Sequence, residues 1–464
     1  MKREDLLSKI SDPSKVWDVV VIGGGATGLG VAVDAVTRGY SVALFEWEDF
    51  AKATSSRSTK LVHGGVRYLA QGDVSLVLEA LYERGLLQQN APHLVKNQSF
   101  LIPNYRYWDN FLYTVGLTIY DILAGRLSLG RSKYVSKKKT TSYLPTVRVD
   151  GLKGGVVYHD GQFDDSRLAV NLAQSCVENG GCPINRMKVT AILHGSDGRA
   201  RGVKVQDLMN GQEYEVKAKA VINATGIFVD SIMEMDVPTH EHMVKPSQGV
   251  HLVLDKSFLQ SDYAIMIPKT DDGRVLFAVP WHDKVVVGTT DTLREHPELE
   301  PQALESEIEF ILNTAGRYLT RKPQRSDVLS VFAGLRPLAA PKKEGKSTKE
   351  ISRSHKIFVS ENKLITITGG KWTTYRRMAE DTVDKAIELN LLEKKACVTK
   401  KFRIHGYQLN PDLNNHLYIY GSDIQAIKTL MQSDPAMAEK LHPKYDYTVA
   451  EVVWAVREEM ALNV

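Results

Sequence analysis

The sequence is poor in the features that metal sites, disulfide frameworks and membrane spans require. Its 464 residues include only three cysteines, Cys176, Cys182 and Cys397, and no CxxC pair. We therefore predict no metal site and no thiol relay, and the isolated thiols are typical of a reducing compartment. No apolar run approaches the ~20 residues that a membrane-spanning helix needs.

Neither the charge balance nor the N-terminus indicates nucleic acid or export. Lys and Arg number 59 against 55 Asp and Glu, so the net charge is only +4. This balance suits anionic small molecules or an anionic membrane surface better than nucleic acid. The stretch MKREDLLSKISDPSKVWD lacks the apolar core of a secretory signal, and its acidic residues are atypical of a transit peptide. We expect a cytoplasmic protein that rests on a membrane.

A strand–helix–strand unit near the N-terminus carries the most specific signal, WDVVVIGGGATGLGVAVDAVTRGYSVALFE. The β-branched run at residues 18–22 predicts a buried parallel strand. Residues 26–38 predict a helix with small residues on the face toward that strand, and SVALFE predicts a second strand. Together these segments predict the βαβ unit of a nucleotide-binding sheet.

Three glycines in this unit, Gly23, Gly25 and Gly28, fit the GxGxxG pattern, and Glu46 closes the second strand. Glycines allow the backbone to approach a pyrophosphate at the helix N-terminus, and the acidic residue binds the hydroxyl pair of a ribose. The unit therefore predicts a dinucleotide site. By itself the pattern does not distinguish NAD from FAD.

The next segment, TSSRSTKLVHGGVRYL, is rich in hydroxyl groups and favours a flavin. It has neither a helical apolar stripe nor a clean strand alternation. Its first hydroxyl residues are Thr54, Ser55, Ser56 and Ser58. These hydroxyls and the backbone amides between them are suited to the diphosphate and ribityl oxygens of a buried flavin. Hydroxyl-rich loops are also common at protein surfaces, so this segment alone does not identify the cofactor.

Two later strand–turn–helix corners add small residues where a strand would approach a ligand. One contains Ala224 and Gly226 in NATG, and the other contains Gly370 and opens a helix at Thr373 and Thr374. The partial positive charge of a helix N-terminus would stabilise electron density at the pyrimidine edge of a reduced flavin. Each corner alone fits an ordinary turn, but three such corners in one chain favour a flavin site.

Motifs spread over nearly the whole chain from Trp17 onward resemble the FAD-dependent glycerol-3-phosphate dehydrogenases, within the D-amino-acid-oxidase-like flavoproteins. They occur in the order of that family: GGGATGLG, TSSRSTKLVHGGVRYL, APHLV, NATG, PWHDKVVVGTTD, GLRPL and GGKWTTYR. The resemblance implies oxidation of sn-glycerol 3-phosphate to dihydroxyacetone phosphate, with electrons passing through FAD to membrane quinone. It also implies peripheral contact with the inner face of the cell membrane, and it leaves a homodimer open.

The resemblance also implies which residues surround the ligands. Positions that match the substrate site are Arg67, Tyr68, Thr289, Arg336, Arg353 and Lys371. Of these, Arg67 and Arg336 are expected to take part in catalysis, and Gly334 is expected at the cofactor. Arginine suits a phosphate because its planar guanidinium donates two parallel hydrogen bonds. The charge of Arg336 between apolar neighbours and a proline predicts partial burial.

We expect His63 to act as general base. Hydride leaves the substrate carbon only if the hydroxyl proton also leaves, and imidazole titrates near working pH. The two glycines after His63 remove side chains nearby and allow a close approach to substrate. The alternative is that His63 only hydrogen-bonds the substrate, while an arginine or water takes the proton. We expect His251 and His282 to be structural or exposed.

We predict an α/β fold with a discontinuous Rossmann-like FAD-binding domain, a mixed-sheet substrate cap domain and a C-terminal helical domain. The expected ranges are 17–95, 150–245 and 330–385 for the FAD-binding domain, 96–149 and 246–329 for the cap, and 390–464 for the helical domain. The helical domain contains the periodic segment VAEVVWAVREEM. We expect it to be incomplete, because similar proteins continue with more helix.

A segment of the cap is one candidate for the membrane contact. In YTVGLTIYDILAGRLSLGRSKYVSKKKTTSYL an apolar first half precedes a basic second half, which suits a lipid interface with anionic headgroups. The apolar residues are Tyr113, Leu117, Ile119, Tyr120, Ile122 and Leu123. The alternative is a cap helix packed on the core and followed by a solvated loop.

Two other functions compete with a quinone-linked dehydrogenase. A glycerol-3-phosphate oxidase would pass electrons to oxygen, but the cap shows no long low-complexity insertion, which favours the dehydrogenase. A flavin-binding sensor without turnover is the second rival. The presence of His63, Arg67, Arg336 and Lys371 favours an enzyme.

Overall fold

The computed structural model describes residues 1–70, 72–268, 270, 273–339 and 355–463. Within these ranges the chain forms twelve α-helices and eighteen β-strands, connected by loops and short 3₁₀ turns. The helices are α1 (Arg3–Ile10), α2 (Ala26–Thr37), α3 (Val66–Ala70), α4 (Val74–Asn90), α5 (Tyr107–Ala124), α6 (Lys137–Tyr143), α7 (Asp165–Glu178), α8 (Val229–Asp236), α9 (Glu305–Gly316), α10 (Tyr375–Glu388), α11 (Ile424–Ser433) and α12 (Val449–Glu458). The strands are β1 (Val16–Ile22), β2 (Val42–Phe45), β3 (Leu61–Val62), β4 (Val95–Asn104), β5 (Lys133–Val135), β6 (Gly154–Phe163), β7 (Cys182–Ile184), β8 (Met187–His194), β9 (Ala200–Asp207), β10 (Glu213–Asn223), β11 (Val244–Asp255), β12 (Ala264–Ile267), β13 (Leu276–Trp281), β14 (Lys284–Gly288), β15 (Thr292–Leu293), β16 (Val328–Ala339), β17 (Lys356–Val359) and β18 (Ile365–Thr368).

The first sheet contains the predicted nucleotide-binding unit. Among its described strands, β18, β10, β1, β2 and β7 run parallel in that order, with antiparallel β17 beside β18. The second half of β1 is apolar because helices cover the sheet, and Val19, Val20 and Val21 expose no surface. Helix α2 packs against α7 and α10. The predicted strand, helix and second strand are confirmed as β1, α2 and β2.

The second sheet is mixed, as predicted for the cap. Its described strands follow the order β15, β11, β14, β13, β12, β4, β6 and β3, with β16 beside β11 and β5 beside β6. Strands β4 and β12 pair in parallel, whereas β11 pairs antiparallel with both β14 and β16. Phe100 and Tyr158 stack on one face at 4.9 Å, and their neighbours Leu101 and Val157 join the core on the other face. The sheet is therefore covered on both sides.

Sheet membership differs from the predicted domain ranges at three strands. Strands β3, β6 and most of β16 lie in ranges assigned to the FAD-binding domain, 17–95, 150–245 and 330–385, yet they belong to the second sheet, where β6 pairs with β3 and β4, and β16 pairs with β11. A strand belongs to the sheet in which its backbone finds hydrogen-bond partners. The partners of these strands are distant in sequence or lie in ranges assigned to another domain. The domain limits themselves stay a prediction.

Helix α5 divides the predicted membrane segment into two faces. Leu117 and Tyr120 are each 1% exposed and pack inward, whereas Ile119 and Ile122 are 45% and 71% exposed. Leu117 and Tyr120 therefore agree with the alternative of a cap helix packed on the core, and only the outer face of α5 stays a candidate for the lipid interface. The basic run that follows begins helix α6 at Ser136, whose hydroxyl caps it, and is not a loop.

The C-terminal part consists of helices and 3₁₀ turns, as predicted. The periodic segment is helix α12, which starts at a capping box formed by Thr448 and Glu451. Helices α11 and α12 pack together through Ile427 and Ala450, which expose no surface. A mostly buried ion pair between Arg167 and Glu459 attaches this part to α7.

Candidate active site

The turn between β1 and α2 leaves no room for side chains. Gly23 has a φ of 104°, which favours glycine. A Cβ at Gly23 would lie 2.8 Å from the carbonyl oxygen of Ala224, and a Cβ at Gly28 would lie 1.9 Å from that of Gly23. Gly25 immediately precedes α2. The glycines therefore bring the helix N-terminus, with its backbone amides and partial positive charge, close to the ends of β1 and β10, where an anion would be stabilised.

Glu46 lies beside this turn, directly after β2. Its carboxylate accepts hydrogen bonds from the amides of Gly24 at 2.6 Å and Glu48 at 2.8 Å. Burial, which these two bonds only partly offset, raises the pKa of Glu46 to about 7. The carboxyl group thus stands at the position expected for a ribose ligand, and it ionises reluctantly.

A cavity of about 840 Å³ extends from the glycine turn to the second sheet. Most residues predicted to bind the ligands line it: Gly23, Gly25, Glu46, Thr54, Ser55, Ser58, His63, Tyr68, Ala224, Gly226, Thr289, Gly334, Arg336, Gly370, Lys371 and Thr373. Among the described residues, Gly28, Ser56 and Thr374 are not part of the lining. Ser56 donates within its own turn, to the carbonyl of Lys52 at 3.4 Å, and Thr374 donates to the carbonyl of Lys371 at 3.4 Å.

Three hydroxyls of the predicted segment have hydrogen-bond partners within the protein. Thr54 Oγ1 donates to the carbonyl of Leu335 at 2.6 Å, and Ser58 Oγ donates to the buried carboxylate of Asp165 at 2.6 Å. Ser55 Oγ accepts from the first amide of α2 at 2.9 Å. The segment therefore joins β16 and α7 to the glycine turn, and only Ser55 has its hydroxyl at the helix N-terminus.

His63 lies in the short turn between β3 and α3. Its backbone amide donates to Thr373 Oγ1 at 3.2 Å, and its half-buried side chain lines the cavity. Gly65 follows with a φ of 77°, a conformation that favours glycine. The turn thus presents an imidazole to the same cavity as the predicted phosphate ligands.

The guanidinium of Arg336 on β16 is held by the loop after β14. Nη2 donates to Thr289 Oγ1 at 3.0 Å and Nη1 donates to the carbonyl of Thr290 at 3.1 Å. Asp291 lies 3.6 Å from Nη1 and partly balances the charge. A Cβ at Gly249 would lie 2.2 Å from Nη2, so glycine on β11 leaves the space that the guanidinium occupies. The half-buried position predicted for Arg336 is confirmed.

Lys371 and Tyr68 meet at the cavity wall. Nζ of Lys371 lies 4.1 Å from the centre of the Tyr68 ring, within the range of a cation–π interaction. The side chain of Arg67 and the whole of Arg353 lie outside the part of the chain that the structure describes. Their roles stay predictions.

Sequence reasoning did not assign a role in the site to several polar residues that line the cavity: Asp160, His251, Arg274 and Asp291. His251 Nε2 lies 2.8 Å from Thr59 Oγ1. Burial, followed by the positive charges of Arg336 and Lys60, lowers the pKa of His251 to about 3, so its ring is neutral at working pH. Asp160 and His251 lie within buried strands, and a polar residue in such a strand is the signal that would have found them.

Comparisons with known proteins agree with this geometry. A family model described as FAD dependent oxidoreductase matches residues 18–376, and one described as the C-terminal domain of alpha-glycerophosphate oxidase matches residues 361–464. The mitochondrial glycerol-3-phosphate dehydrogenase of Schizosaccharomyces pombe is 40% identical over 99% of this chain and 75% of its own length. The probable mitochondrial glycerol-3-phosphate dehydrogenase of Caenorhabditis elegans is 39% identical over 98% and 67%.

A solved structure extends the likeness to three dimensions. The crystal structure of glycerol-3-phosphate dehydrogenase from Bacillus halodurans complexed with FAD is 30% identical, with a TM-score of 0.78 over 99% of this chain and 86% of that chain. The resemblance inferred from the sequence motifs is confirmed. The chain belongs to the family of FAD-dependent oxidoreductases and, within it, to the glycerol-3-phosphate dehydrogenases.

Proposed function

We propose that the protein oxidises sn-glycerol 3-phosphate to dihydroxyacetone phosphate with FAD as its cofactor. The observation that carries this proposal is one continuous cavity, which joins the glycine turn to His63, Arg336 and Lys371. The family and the dehydrogenases named above support the same activity.

The residues of the cavity fit FAD. The glycine turn suits the diphosphate, because no side chain separates its backbone from a ligand, and Glu46 suits the ribose hydroxyls. Basic side chains outnumber acidic ones in the lining, which suits a diphosphate together with a substrate phosphate: Lys52, Arg57, Lys188, Arg274, Arg336 and Lys371 against Glu46, Glu48, Asp160 and Asp291. When bound, FAD supplies the hydride acceptor for an alcohol.

We propose that His63 accepts the proton of the substrate hydroxyl. Oxidation of a secondary alcohol removes the hydroxyl proton as well as a hydride, and neutral imidazole accepts a proton near neutral pH. The amide of His63 is held by Thr373 at 3.2 Å, so the turn that carries the ring is fixed. The neutral His251 is a weaker candidate, because burial holds its pKa at about 3.

We propose that Arg336 and Lys371 bind the substrate phosphate. The planar guanidinium of Arg336 donates two parallel hydrogen bonds to a phosphate, and Thr289 orients it. Lys371 adds a compact positive charge at the same wall. Both residues line the same cavity as His63, where we expect the carbon that carries the hydroxyl to bind.

Reduction of the bound flavin without air tests this function. The holoenzyme mixed with glycerol 3-phosphate should lose its oxidised-flavin absorbance, whereas glycerol should act far more slowly. If only a different phosphorylated alcohol bleached the flavin, that alcohol would be the substrate in place of glycerol 3-phosphate. No bleaching by any small phosphorylated alcohol would contradict the proposal and favour a flavin-binding sensor.

We further propose membrane quinone as the electron acceptor. Oxygen is the second candidate, because the family model over residues 361–464 takes its name from an oxidase. Rapid reduction of a soluble quinone analogue, with little hydrogen peroxide in air, is expected. Peroxide equal to the substrate consumed would instead identify an oxidase. A homodimer and a position on the cytoplasmic side of the cell membrane stay predictions.

Quinone is dissolved in lipid, so the protein needs a surface that reaches a bilayer. None of the described helices is long and apolar enough to span a membrane. Helices α4 and α5 adjoin and each exposes apolar side chains, which we name together the α4–α5 surface. On it, Trp108, Phe111 and Ile122 are 68%, 60% and 71% exposed, and Leu78 and Tyr82 are 44% and 45% exposed. We propose that this face enters the lipid interface.

Basic side chains beside the start of α5 and at the exposed start of α6 suit anionic headgroups. Lys153 Nζ lies 5.3 Å from the ring of Tyr107 at the start of α5, and Lys137, Lys138 and Lys139 are exposed at the start of α6. Each basic residue near an anionic bilayer contributes about 1 kcal/mol. This charge complementarity favours a membrane over an apolar protein partner.

Acidic substitutions on the α4–α5 surface should release the protein from lipid. In Phe111→Glu/Ile122→Glu we expect sedimentation with anionic liposomes to fall at least roughly tenfold, because each side chain would lose about 1.5–3 kcal/mol of burial. Activity with a soluble dye acceptor should survive. The matched control is Val452→Glu/Val456→Glu on α12, where both valines are also exposed. Unchanged sedimentation of the α5 variant would exclude this face as the anchor.

The raised pKa of Glu46 predicts that FAD binds more tightly as the pH rises. A carboxylate accepts ribose hydroxyls better than a protonated carboxyl group, and burial raises the pKa of Glu46 to about 7. Binding therefore favours the ionised form, so each unit below about pH 7 should weaken affinity up to about tenfold, with a plateau above. Titration of the flavin-free protein with FAD measures this. Glu46→Gln should remove this dependence of FAD affinity on pH. An unchanged pH dependence in the variant would mean that another group causes it.

A further inference from the structure

A buried hydrogen-bond network lies behind the His63 turn and has no part in the chemistry described above. The amide of Gly64 donates to Tyr120 Oη at 2.8 Å, and the Tyr120 hydroxyl donates to Asp160 Oδ2 at 2.7 Å. Arg84 Nη1 donates to Asp160 Oδ1 at 2.8 Å. The Gly64 amide also lies 3.3 Å from Asp160 Oδ1. The network therefore joins α4, α5 and β6 to the residue that follows His63.

The space around Gly64 shows how closely this network fits the backbone. A Cβ at Gly64 would lie 2.4 Å from Tyr120 Oη and 2.4 Å from Leu81 Cδ2. A side chain there would force the phenol away from the amide. On the neighbouring residue, the His63 amide donates to Thr373 Oγ1 at 3.2 Å. Two consecutive amides are thus fixed by side chains from different parts of the fold.

The network is expensive to bury, so stability alone is a poor reason for it. Arg84 and Tyr120 are each 1% exposed and Asp160 is 2% exposed. Buried ion pairs contribute little net stability, but a satisfied network fixes one geometry. Burial, and then the charge of Asp160, raises the pKa of Tyr120 well above its ordinary value. The phenol therefore stays protonated. It donates a hydrogen bond to Asp160 and accepts one from the amide of Gly64.

We propose that Tyr120 and Asp160 are positioning residues for His63. They hold the backbone of residues 63–64 so that the imidazole meets the substrate hydroxyl at a fixed place. A displacement of the order of 1 Å at such a site is enough to cost about 10²-fold in rate. The inference rests on the proposed role of His63 as the base.

The test compares Tyr120→Phe with Tyr420→Phe in the holoenzyme. Each change removes one buried phenol that donates to a carboxylate, Asp160 at 2.7 Å or Glu451 at 3.3 Å, and keeps the ring. Tyr420 lies in the C-terminal part and is not in the described lining of the cavity. Flavin absorbance and the melting temperature verify that both variants fold and hold FAD.

In Tyr120→Phe we expect flavin reduction by glycerol 3-phosphate to slow roughly tenfold, with its pH profile shifted and KM nearly unchanged. Hydrogen exchange at the Gly64 amide should quicken, because one acceptor is lost and the other is 3.3 Å away. Tyr420→Phe should change neither readout. Faster hydrogen exchange with an unchanged rate and pH profile of flavin reduction would mean that the network has only a structural role. Unchanged hydrogen exchange at Gly64 would contradict the proposal that Tyr120 holds this turn.

The exchange measurement does not depend on the substrate. If glycerol 3-phosphate did not reduce the wild-type flavin, the proposed function would fall. The amide exchange of Gly64 would still decide whether Tyr120 holds the turn. The two failures are therefore distinguishable.

Discussion

Replacing His63 by glutamine is expected to slow flavin reduction by glycerol 3-phosphate roughly 10²–10⁴-fold. Glutamine has a similar size and still hydrogen-bonds, but it does not titrate, so the loss isolates proton transfer. The turn is held through the backbone amide of His63, which the substitution keeps. FAD should therefore remain bound, which its visible absorbance verifies. Rapid mixing without air measures the rate.

The pH profile gives this prediction a second signature. The wild-type rate should fall at low pH as the imidazole becomes protonated, and the His63→Gln rate should lack that limb. His194→Gln is the control, because His194 pairs with Asp236 at 2.8 Å and is not among the described residues that line the cavity. A near-normal rate of flavin reduction in His63→Gln would mean that an arginine or water, and not His63, accepts the hydroxyl proton.

Local signals predicted the nucleotide half of the molecule well. The strand, the glycines and the helix of the β1–α2 unit lie next to each other in sequence, and their geometry follows from backbone sterics alone. Gly28 illustrates this, because a Cβ there would lie 1.9 Å from the carbonyl oxygen of Gly23, only a few residues earlier. The mixed-sheet cap is what the family resemblance implies, whereas the periodicity of VAEVVWAVREEM predicts a C-terminal helix directly.

Partners that are distant in sequence account for what could not be predicted. The hydroxyls of Thr54 and Ser58 donate to Leu335 and Asp165, which lie 281 and 107 residues away. The sequence shows hydroxyl groups but not these protein acceptors, and contact of the two residues with FAD stays a prediction. Strand β16 joins the second sheet for the same reason, since its partner β11 is far from it in the chain.

Helix α5 shows a second limit of sequence reasoning. Its segment is apolar on both faces, so helical periodicity does not say which face covers the core. Tyr120 is one of the candidate lipid-facing residues in the sequence, yet it is buried and bonds to Asp160 and Gly64. Only the packing of α5 on β6 decides between these outcomes.

Arg336 offers the sharpest test of how the substrate is recognised. Two of its nitrogens are used to hold the guanidinium against Thr289 and Thr290, at 3.0 and 3.1 Å. Lysine at this position keeps the charge but has one nitrogen in place of the planar group. It cannot make these bonds and also present two parallel donors to a phosphate. Arginine and lysine are therefore not equivalent here.

We expect Arg336→Lys to lower kcat/KM for glycerol 3-phosphate roughly 10²–10³-fold, mainly through a higher KM. Glycerol has no phosphate, so its slow reduction of the flavin should change little. Arg325→Lys is the control, because Arg325 is an exposed arginine that pairs with Glu305 at 3.1 Å. The measurement is flavin bleaching without air over a range of both substrates. Equal losses for glycerol and glycerol 3-phosphate would mean that Arg336 supports the site as a whole and does not recognise the phosphate.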